Sequence, residues 1–170
     1  VQGAHGAARV EPTLHRRGAA DVGQEDGAGD GDHHRDEGAG DDIDVKLGIT
    51  ENGHIIYIKR LRLLDNEPIL LQESYIPHYL YPSLLHDDIE NNSLFELFEK
   101  KYGTKITRIV DYIEITQVTA DEGKMLELPK GATAMLLEQH FYAGDTQIMY
   151  MRSIKRPERF RFFIEMERKS

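Results

Sequence analysis

"RLRLLDNEPILLQESYIPHYL", running from Arg60 to Leu80, holds two apolar runs that are separated by the polar sequence "DNEP". The first run ends a β-rich, partly alternating segment that begins at His54 and stops at Leu64. The second run extends from Ile69 to Ile76, directly before a proline. Asp, Asn and Pro between two such runs are typical of a turn, so the stretch predicts an antiparallel β-hairpin.

Strand and helix signals alternate over the rest of residues 43–170. "SLFELFEKKYG" predicts a helix that is capped by Ser93, with Glu96 three residues on, and that stops at Gly103. "TADEGKMLEL" predicts a second short helix that is capped by Thr119. Further strands are expected in "ITRIVDYIEITQV", "TAMLLEQHFYA", "QIMYMRSIK" and "RFRFFIEMER". A mostly antiparallel sheet with a few helices makes this an α+β domain.

Composition narrows the class of protein. The chain has 170 residues, which favours one domain, and its 30 Asp and Glu exceed its 21 Lys and Arg. This acidic balance disfavours DNA binding through the domain's own surface. Cysteine is absent, so neither a disulfide framework nor a thiolate metal site is predicted. Without a membrane-length apolar run or a signal-peptide core, the sequence predicts a soluble, cytoplasmic protein.

Residues 1–42 differ from the rest and form a Gly/Asp-rich leader. They hold 9 of the 15 glycines and contain no Lys, Ile, Phe or Tyr. Such a segment buries too little apolar area to offset its ordering entropy, so disorder is the default expectation. His33 and His34 lie among carboxylates, but a short match of this kind is weak support for a metal site.

A reading-frame error explains the leader better than disorder. Its Gly, Ala, Asp and Arg bias is what GC-rich codons give when they are translated in the wrong frame. A shifted frame permits "LTS", then a basic helix-like stretch and a β-branched run, which is an ordinary helix–strand opening. We therefore predict that residues 1–42 are a mis-framed version of the start of the domain that residues 43–170 continue. An intact mass that equals that of the printed sequence would end this hypothesis.

Two arginines on the first hairpin strand form the candidate binding site. Arg60 and Arg62 lie on one face, because strand side chains alternate with a period of two. A solvated strand face is the plain alternative, since arginine is usually exposed. Two guanidinium groups on a rigid strand can instead bind a phosphate or carboxylate through bidentate hydrogen bonds. Ser93 opens a helix, and helix N-termini favour anions, which strengthens the second interpretation.

Catalytic patterns are not found. The sequence shows no Ser-His-Asp spacing, metal triad or nucleotide-binding loop, so no catalytic residue, metal or cofactor is predicted. "SIKRPERFRF" is basic but lacks the clustering of a nucleic-acid patch. We interpret it as charge at a hairpin tip, with Lys155 reaching inward.

The ordered set "RLR…DNEPI…ESYIP", "SLFELFEKKYG", "TADEGKMLELPKGA" and "RSIKRPERFRFFIE" resembles UTRA domains. These are the effector-binding domains of the HutC-type branch of GntR-family bacterial transcription regulators. The resemblance covers nearly all of residues 43–170 and implies a chorismate-lyase-like α+β fold that binds a small metabolite, often a phosphorylated sugar. It also implies a homodimer, and DNA binding only through an N-terminal winged helix-turn-helix domain outside this chain. Ligand binding would change the spacing of those DNA-binding heads.

By this resemblance, Arg60 and Arg62 look like the phosphate- or carboxylate-binding pair, and Ser93 looks like the helix-cap donor beside them. The function implied is ligand sensing and dimerisation without catalysis. Two alternatives stay open. One is a chorismate-lyase-like enzyme, which would release 4-hydroxybenzoate from chorismate. The other is a protein-interaction module that binds through its hairpins and has no ligand.

Four positions depart from the pattern of sugar-phosphate-binding relatives. Those relatives commonly carry Glu at the position of Gln72 and near that of Met149, and Tyr near the positions of Phe95 and Lys155. Two carboxylates are therefore missing and one cation is gained. On electrostatic grounds this disfavours an amino-sugar phosphate and favours a more anionic or less cationic effector.

Overall fold

The computed structural model of the protein describes residues 8–16, 43, 45–48, 54–89 and 92–161. Its centre is a sheet of six strands in the order β1-β2-β3-β6-β5-β4. Every neighbouring pair in this order is antiparallel. The strands are β1 (Ala8–Arg16), β2 (His54–Leu64), β3 (Glu67–Pro77), β4 (Arg108–Gln117), β5 (Thr133–Ala143) and β6 (Thr146–Lys155). The predicted α+β class with a mostly antiparallel sheet is confirmed.

The predicted hairpin is formed by β2 and β3. Its turn consists of Asp65 and Asn66, whose φ angles are 52° and 66°. Positive φ at both central residues is the signature of the tight turns that match the twist of a two-stranded ribbon, and Asp and Asn tolerate it. The turn is shorter than predicted, so β3 begins at Glu67 rather than Ile69.

The helices are short. α1 (Leu94–Glu96) continues as a π-helical turn over Leu97–Lys101, and α2 covers Ala120–Leu126. Two 3₁₀ turns lie at Leu84–His86 and Pro157–Arg159. Residue 43 and residues 45–47 are also helical. No helix in these described ranges is long and apolar enough to cross a membrane.

One of the two predicted capping boxes is formed. The Thr119 hydroxyl accepts a hydrogen bond from the Glu122 amide at 3.2 Å, and the Glu122 carboxylate accepts one from the Thr119 amide at 2.9 Å. The box at Ser93 was wrongly predicted, because the Ser93 side chain makes no capping hydrogen bond. The Glu96 carboxylate instead pairs with Lys100 one turn further on, at 2.8 Å.

Two other expectations change with the structure. Disorder is the wrong description for Ala8–Arg16, because this backbone pairs with β2 along its whole length. Residues 17–42 lie outside the described residues, so the reading-frame hypothesis stays a prediction. The last predicted strand begins with the turn Pro157–Arg159, and its part beyond residue 161 also lies outside the described residues.

The two faces of the sheet have different characters. We call one the arginine face; Arg60, Gln72, Ser153 and Leu137 lie on it, in a row across β2, β3, β6 and β5. The main hydrophobic core covers part of this face, where Phe98 and other side chains of the segment between β3 and β4 pack on the sheet.

The opposite, tyrosine face carries the neighbouring rings of Tyr57, Tyr75, Tyr150 and His140. The helix α2 packs on it through Leu126. The helical residues Ile43 and Leu47 pack on it against Ile55 and Tyr150, and Tyr75 borders this cluster. Both faces are therefore covered in part by helical segments.

Candidate functional site

The strand β2 places both candidate arginines on the arginine face. Arg60 pairs with Gln72 and Arg62 pairs with Leu70 in the register of the hairpin. The two arginines are two residues apart on one strand, and strand side chains alternate between faces. Their side chains therefore project to the same side of the sheet. Arg60 is only 5% exposed, whereas Arg62 is half-buried. A solvated strand face, the plain alternative, therefore does not describe Arg60.

The guanidinium of Arg60 is buried from solvent. Its Nη2 donates a 2.5 Å hydrogen bond to the carbonyl oxygen of Ile89. Its Nε is buried and has no hydrogen-bond partner among the described residues. Burial, together with the nearby charge of Arg62, lowers the pKa of Arg60 to about 10. A buried guanidinium with an unused donor and a like charge beside it favours the binding of an anion.

On the tyrosine face, the charge of the half-buried arginine is balanced by carboxylates. Arg152 pairs with Glu73 at 3.1 Å and with Glu122 at 2.7 Å. Although burial opposes it, these two carboxylates raise the pKa of Arg152 above its usual value. Among the described residues, neither Arg60 nor Arg62 has such an ion pair with a carboxylate. The two faces therefore differ in whether the charge of their arginines is balanced by described carboxylates.

Gln72 connects the arginines to the centre of the sheet. Its Oε1 accepts a hydrogen bond from the Nε of Arg62 at 3.4 Å. Its amide nitrogen donates to the sulfur of Met151 on β6. A glutamate here would neutralise the arginine pair, whereas the neutral amide leaves its positive charge available.

Ser93 and Phe95 come from the segment that covers the arginine face. The Ile89 carbonyl that binds Arg60 belongs to the chain just before Ser93, and the Ser93 hydroxyl takes no part in capping α1. Phe95 is 38% exposed, and its ring packs edge-on against Phe141 with 5.3 Å between centroids. Phe95 therefore borders the main hydrophobic core, to which Phe141 belongs.

Met149 lies in the first half of β6, and Lys155 is its last residue. Met149 is fully buried in the main core, so it supports the sheet rather than presenting a free surface. Lys155 is half-buried and pairs with Leu70, which in turn pairs with Arg62, so all three share the arginine face. Its Nζ lies 4.9 Å from the centroid of the Phe160 ring. Burial lowers the pKa of Lys155 despite the nearby carboxylate of Asp111.

The sequence analysis missed two buried serines. Ser74 is 1% exposed, and its hydroxyl oxygen has no hydrogen-bond partner. Ser153 is 2% exposed and lies opposite Gln72 on β6. Ser74 could have been found from the two-residue period, because it follows Gln72 by two positions on the same strand. Ser153 could not, because it joins the site only through the pairing of β3 with β6.

Metal chemistry finds no support in the described part of the chain. No group of three or more His, Asp or Glu side chains is arranged there to hold a metal ion. The polar groups that the arginine face offers are guanidinium donors, serine hydroxyls, an amide and an ammonium group.

Comparison with known proteins gives the family. Residues 33–161 match the UTRA domain family. The HTH-type transcriptional repressor NagR of Bacillus subtilis (strain 168) is 27% identical over 125 residues, which are 73% of this chain and 51% of NagR. The "Probable fructoselysine utilization operon transcriptional repressor" of Escherichia coli (strain K12) is 29% identical over 86 residues, which are 51% of this chain and 35% of that protein. The matches thus span about a third to a half of these regulators.

Solved structures show the same fold. The transcriptional regulator (GntR family) of Enterococcus faecalis V583 has a TM-score of 0.73 at 20% identity, with 94% of this chain and 99% of that chain covered. The C-terminal domain of the histidine utilization repressor of Pseudomonas syringae pv. tomato str. DC3000 has a TM-score of 0.70 at 17% identity, with 76% and 91% covered. The chain belongs to the UTRA domain family, the effector-binding domains of GntR-family transcriptional regulators.

Proposed function

We propose that this domain senses a small anionic metabolite, either a sugar phosphate or a carboxylate, and that Arg60 and Arg62 hold its anionic group. The observation that carries the proposal is the buried guanidinium of Arg60, which lies beside a second cation and keeps an unused Nε donor. An anion bound there would offset the desolvation of the charge and the repulsion between the arginines. The attraction between the anion and the arginines would be stronger here than at an exposed site, because buried charges are screened less by water and salt.

We expect the other candidate residues to complete the site. Gln72 and Ser93 would offer polar contacts to the ligand, and Phe95 would offer an apolar wall. Lys155 adds a second cation on the same face. Met149 would support the site indirectly, as part of the hydrophobic core next to it. The names of two similar proteins, a fructoselysine utilization repressor and a histidine utilization repressor, support a small metabolite as the class of effector.

We propose that the chain forms a homodimer and that β4 is the interface. This strand is an edge of the sheet, and four of its large apolar side chains are 44–75% exposed: Ile109, Tyr112, Ile113 and Ile115. A long apolar edge strand is a template for pairing with another strand. In a two-fold pairing centred on Tyr112, Ile109 of one copy lies opposite Ile115 of the other, and no like charges face each other. Because β4 complements itself in this way, a second copy of the chain is the occupant that fits.

In the whole protein, the domain would control DNA binding in the cytoplasm. A winged helix-turn-helix domain outside this sequence would bind the operator, and the dimer would set the spacing of the two DNA-binding heads. Effector binding between the sheet and the segment that leads to α1 would bias that spacing, because the ligand shifts the equilibrium toward the state that it binds more tightly. We assign no catalytic step to the domain.

Titration calorimetry tests the anion site. Glucose 6-phosphate and a series of small carboxylates are titrated into the wild type, Arg60→Met and Arg62→Met, with Lys59→Met as the control. Lys59 is adjacent in sequence but lies on the tyrosine face, opposite Glu73. We expect both arginine variants to lose roughly tenfold or more in affinity, as for a hydrogen bond to a charged group, while Lys59→Met binds like the wild type. Equal binding by all four proteins would contradict the proposal.

A further inference from the structure

A second cation lies in line with the arginines on the same face. Arg62, Leu70 and Lys155 form one row across β2, β3 and β6. Two strand spacings separate the backbones of the outer residues, which is roughly 10 Å. Leu70 between them is an apolar, half-buried side chain. The positive charge on this face is thus divided between two places, one on each side of β3.

Neutral side chains predominate on the part of the face near these cations. In the register from Ile56 to Arg62, the described residues of the arginine face on β2, β3 and β6 include neither Asp nor Glu; they are Ile56, Ile58, Arg60 and Arg62 on β2, Leu70, Gln72, Ser74 and Ile76 on β3, and Met149, Met151, Ser153 and Lys155 on β6. Glu67, which lies opposite Leu64 at the hairpin end of the face, pairs with Arg159. The carboxylate that acts on Lys155 is Asp111 on the outer strand β4, where it is exposed and accepts a hydrogen bond from Gln139 at 3.0 Å. Two cationic places therefore lie on a surface that is otherwise neutral and partly dehydrated.

Neutral polar groups lie in the two rows next to the row of Arg62 and Lys155. Gln72 and Ser153 lie opposite each other in the row next to Arg62 and Lys155. Ser74 lies one row further, and its buried hydroxyl has no partner. Hydroxyl and amide groups of this kind suit a ligand whose middle carries hydroxyls, because each can both donate and accept.

We propose that the effector is a dianion, with one anionic group held by Arg60 and Arg62, a hydroxyl-bearing middle over Gln72, Ser74 and Ser153, and a second anionic group held by Lys155. The chemical class that meets these terms is a phosphorylated sugar acid, with phosphate at one end and carboxylate at the other. This inference rests on the proposed function, since it needs the arginine pair as its first contact. It extends that function by giving Lys155 a specific role in choosing the ligand.

Four probes of matched skeleton separate the contributions. They are 6-phosphogluconate with two anionic ends, glucose 6-phosphate with one, gluconate with only the carboxylate, and glucosamine 6-phosphate with an added cation. We expect wild-type affinity to fall in the order 6-phosphogluconate, glucose 6-phosphate, glucosamine 6-phosphate. The affinity for 6-phosphogluconate should exceed that for glucose 6-phosphate by about tenfold, the size of one charge-assisted contact. Gluconate should bind more weakly than 6-phosphogluconate.

The variant Lys155→Met keeps the length of the side chain and removes its charge. We expect it to lose the preference, so that it binds 6-phosphogluconate no better than glucose 6-phosphate. Lys59→Met, on the opposite face, should keep the preference. Circular dichroism spectra establish that each variant is folded.

The possible failures are distinguishable. If glucose 6-phosphate binds through Arg60 but 6-phosphogluconate has no advantage, or if Lys155→Met retains that advantage, the dianion is excluded and the arginine site stands. If none of the four probes binds, or if binding does not depend on Arg60, the proposed anion receptor fails and the dianion fails with it.

Discussion

The Nη2 of Arg60 donates a 2.5 Å hydrogen bond to the carbonyl oxygen of Ile89, 29 residues further along the chain. This contact joins the hairpin to the segment that leads into α1. It uses one of the five guanidinium donors, and the Nε of the same group remains buried without a partner. The proposed anion site and the attachment of the covering segment therefore share one side chain, so we expect ligand binding and local order on this face to be coupled.

Anions should stabilise the wild type through this side chain. Inorganic phosphate is the simplest probe, because it contains only the group that the arginines are proposed to hold. At ten times its Kd, a ligand that binds only the folded state adds about 1.4 kcal/mol. For a chain of this size that corresponds to a rise of roughly 3–6 °C in Tm, measured by differential scanning fluorimetry at constant ionic strength set with sodium chloride.

Arg60→Met should abolish most of that phosphate-dependent rise, and Arg62→Met should reduce it. Lys59→Met should leave it unchanged. A phosphate-dependent shift of equal size in all four proteins would mean that phosphate acts elsewhere.

Ser74→Ala should separate stability from binding. The Ser74 hydroxyl is buried without a partner, which costs free energy in the ligand-free protein. Removing the oxygen should therefore raise the ligand-free stability, by roughly 1 kcal/mol in urea unfolding, and weaken binding of the effector probe. A loss of stability in the ligand-free variant would show that the hydroxyl already has a partner in solution.

Acid should destabilise the domain through Glu122. Although burial opposes it, hydrogen bonds from the Thr119 amide and from Arg152 hold the pKa of Glu122 below its usual value. A carboxyl group with a lowered folded-state pKa contributes fully above its unfolded value of about 4.3. That contribution is lost as pH falls through the lower folded-state value.

Glu122→Gln should therefore destabilise the domain at pH 7, by roughly 1–3 kcal/mol. The difference from the wild type should shrink as the pH falls below about 4. Urea unfolding at several pH values measures it, with the exposed Glu99→Gln as the control. A difference that does not change between pH 7 and pH 3 would contradict the role of the ionised carboxylate.

Much of the fold could be predicted because its signals are local. The turn at Asp65 and Asn66, the alternation along β2 and the capping box at Thr119 each depend on residues close in sequence. The shared face of Arg60 and Arg62 followed from the same two-residue period.

The remaining features depend on contacts between distant segments. The burial of Arg60 depends on Ile89, and the place of Lys155 in the row of Arg62 depends on the pairing of β3 with β6. At Ser93 the local capping pattern was misleading, because Glu96 pairs with Lys100 instead. Periodicity alone could not show any of these three.

Gly123→Ala should destabilise the domain, against the usual effect of this substitution in a helix. Alanine in a helix is normally favoured over glycine by roughly 0.5–1 kcal/mol. Here a Cβ on Gly123 would lie 2.6 Å from the carbonyl oxygen of Leu128, which is backbone and cannot rotate away. That backbone is fixed by a 2.8 Å hydrogen bond from the Leu128 amide to the Gly123 carbonyl.

Thermal unfolding compares Gly123→Ala with Lys124→Ala, an exposed position in the same helix. We expect the first to lower Tm by several degrees, as for roughly 1–3 kcal/mol of overpacking, and the second to change it little. A Tm for Gly123→Ala at or above that of the wild type would show that the end of α2 relaxes to admit the methyl group.

Tyr112→Lys should convert the proposed dimer into a monomer. In the two-fold pairing of β4, Tyr112 lies opposite its own copy, so the substitution places two ammonium groups against each other and removes two exposed rings from the interface. Tyr112→Phe is the matched control, because it keeps the ring that packs edge-on to His140 with 5.7 Å between centroids. Sedimentation equilibrium should give twice the chain mass for the wild type and Tyr112→Phe, and the chain mass for Tyr112→Lys. A dimer that survives Tyr112→Lys with unchanged affinity would place the interface away from this edge, because like charges directly opposite each other destabilise a strand pair.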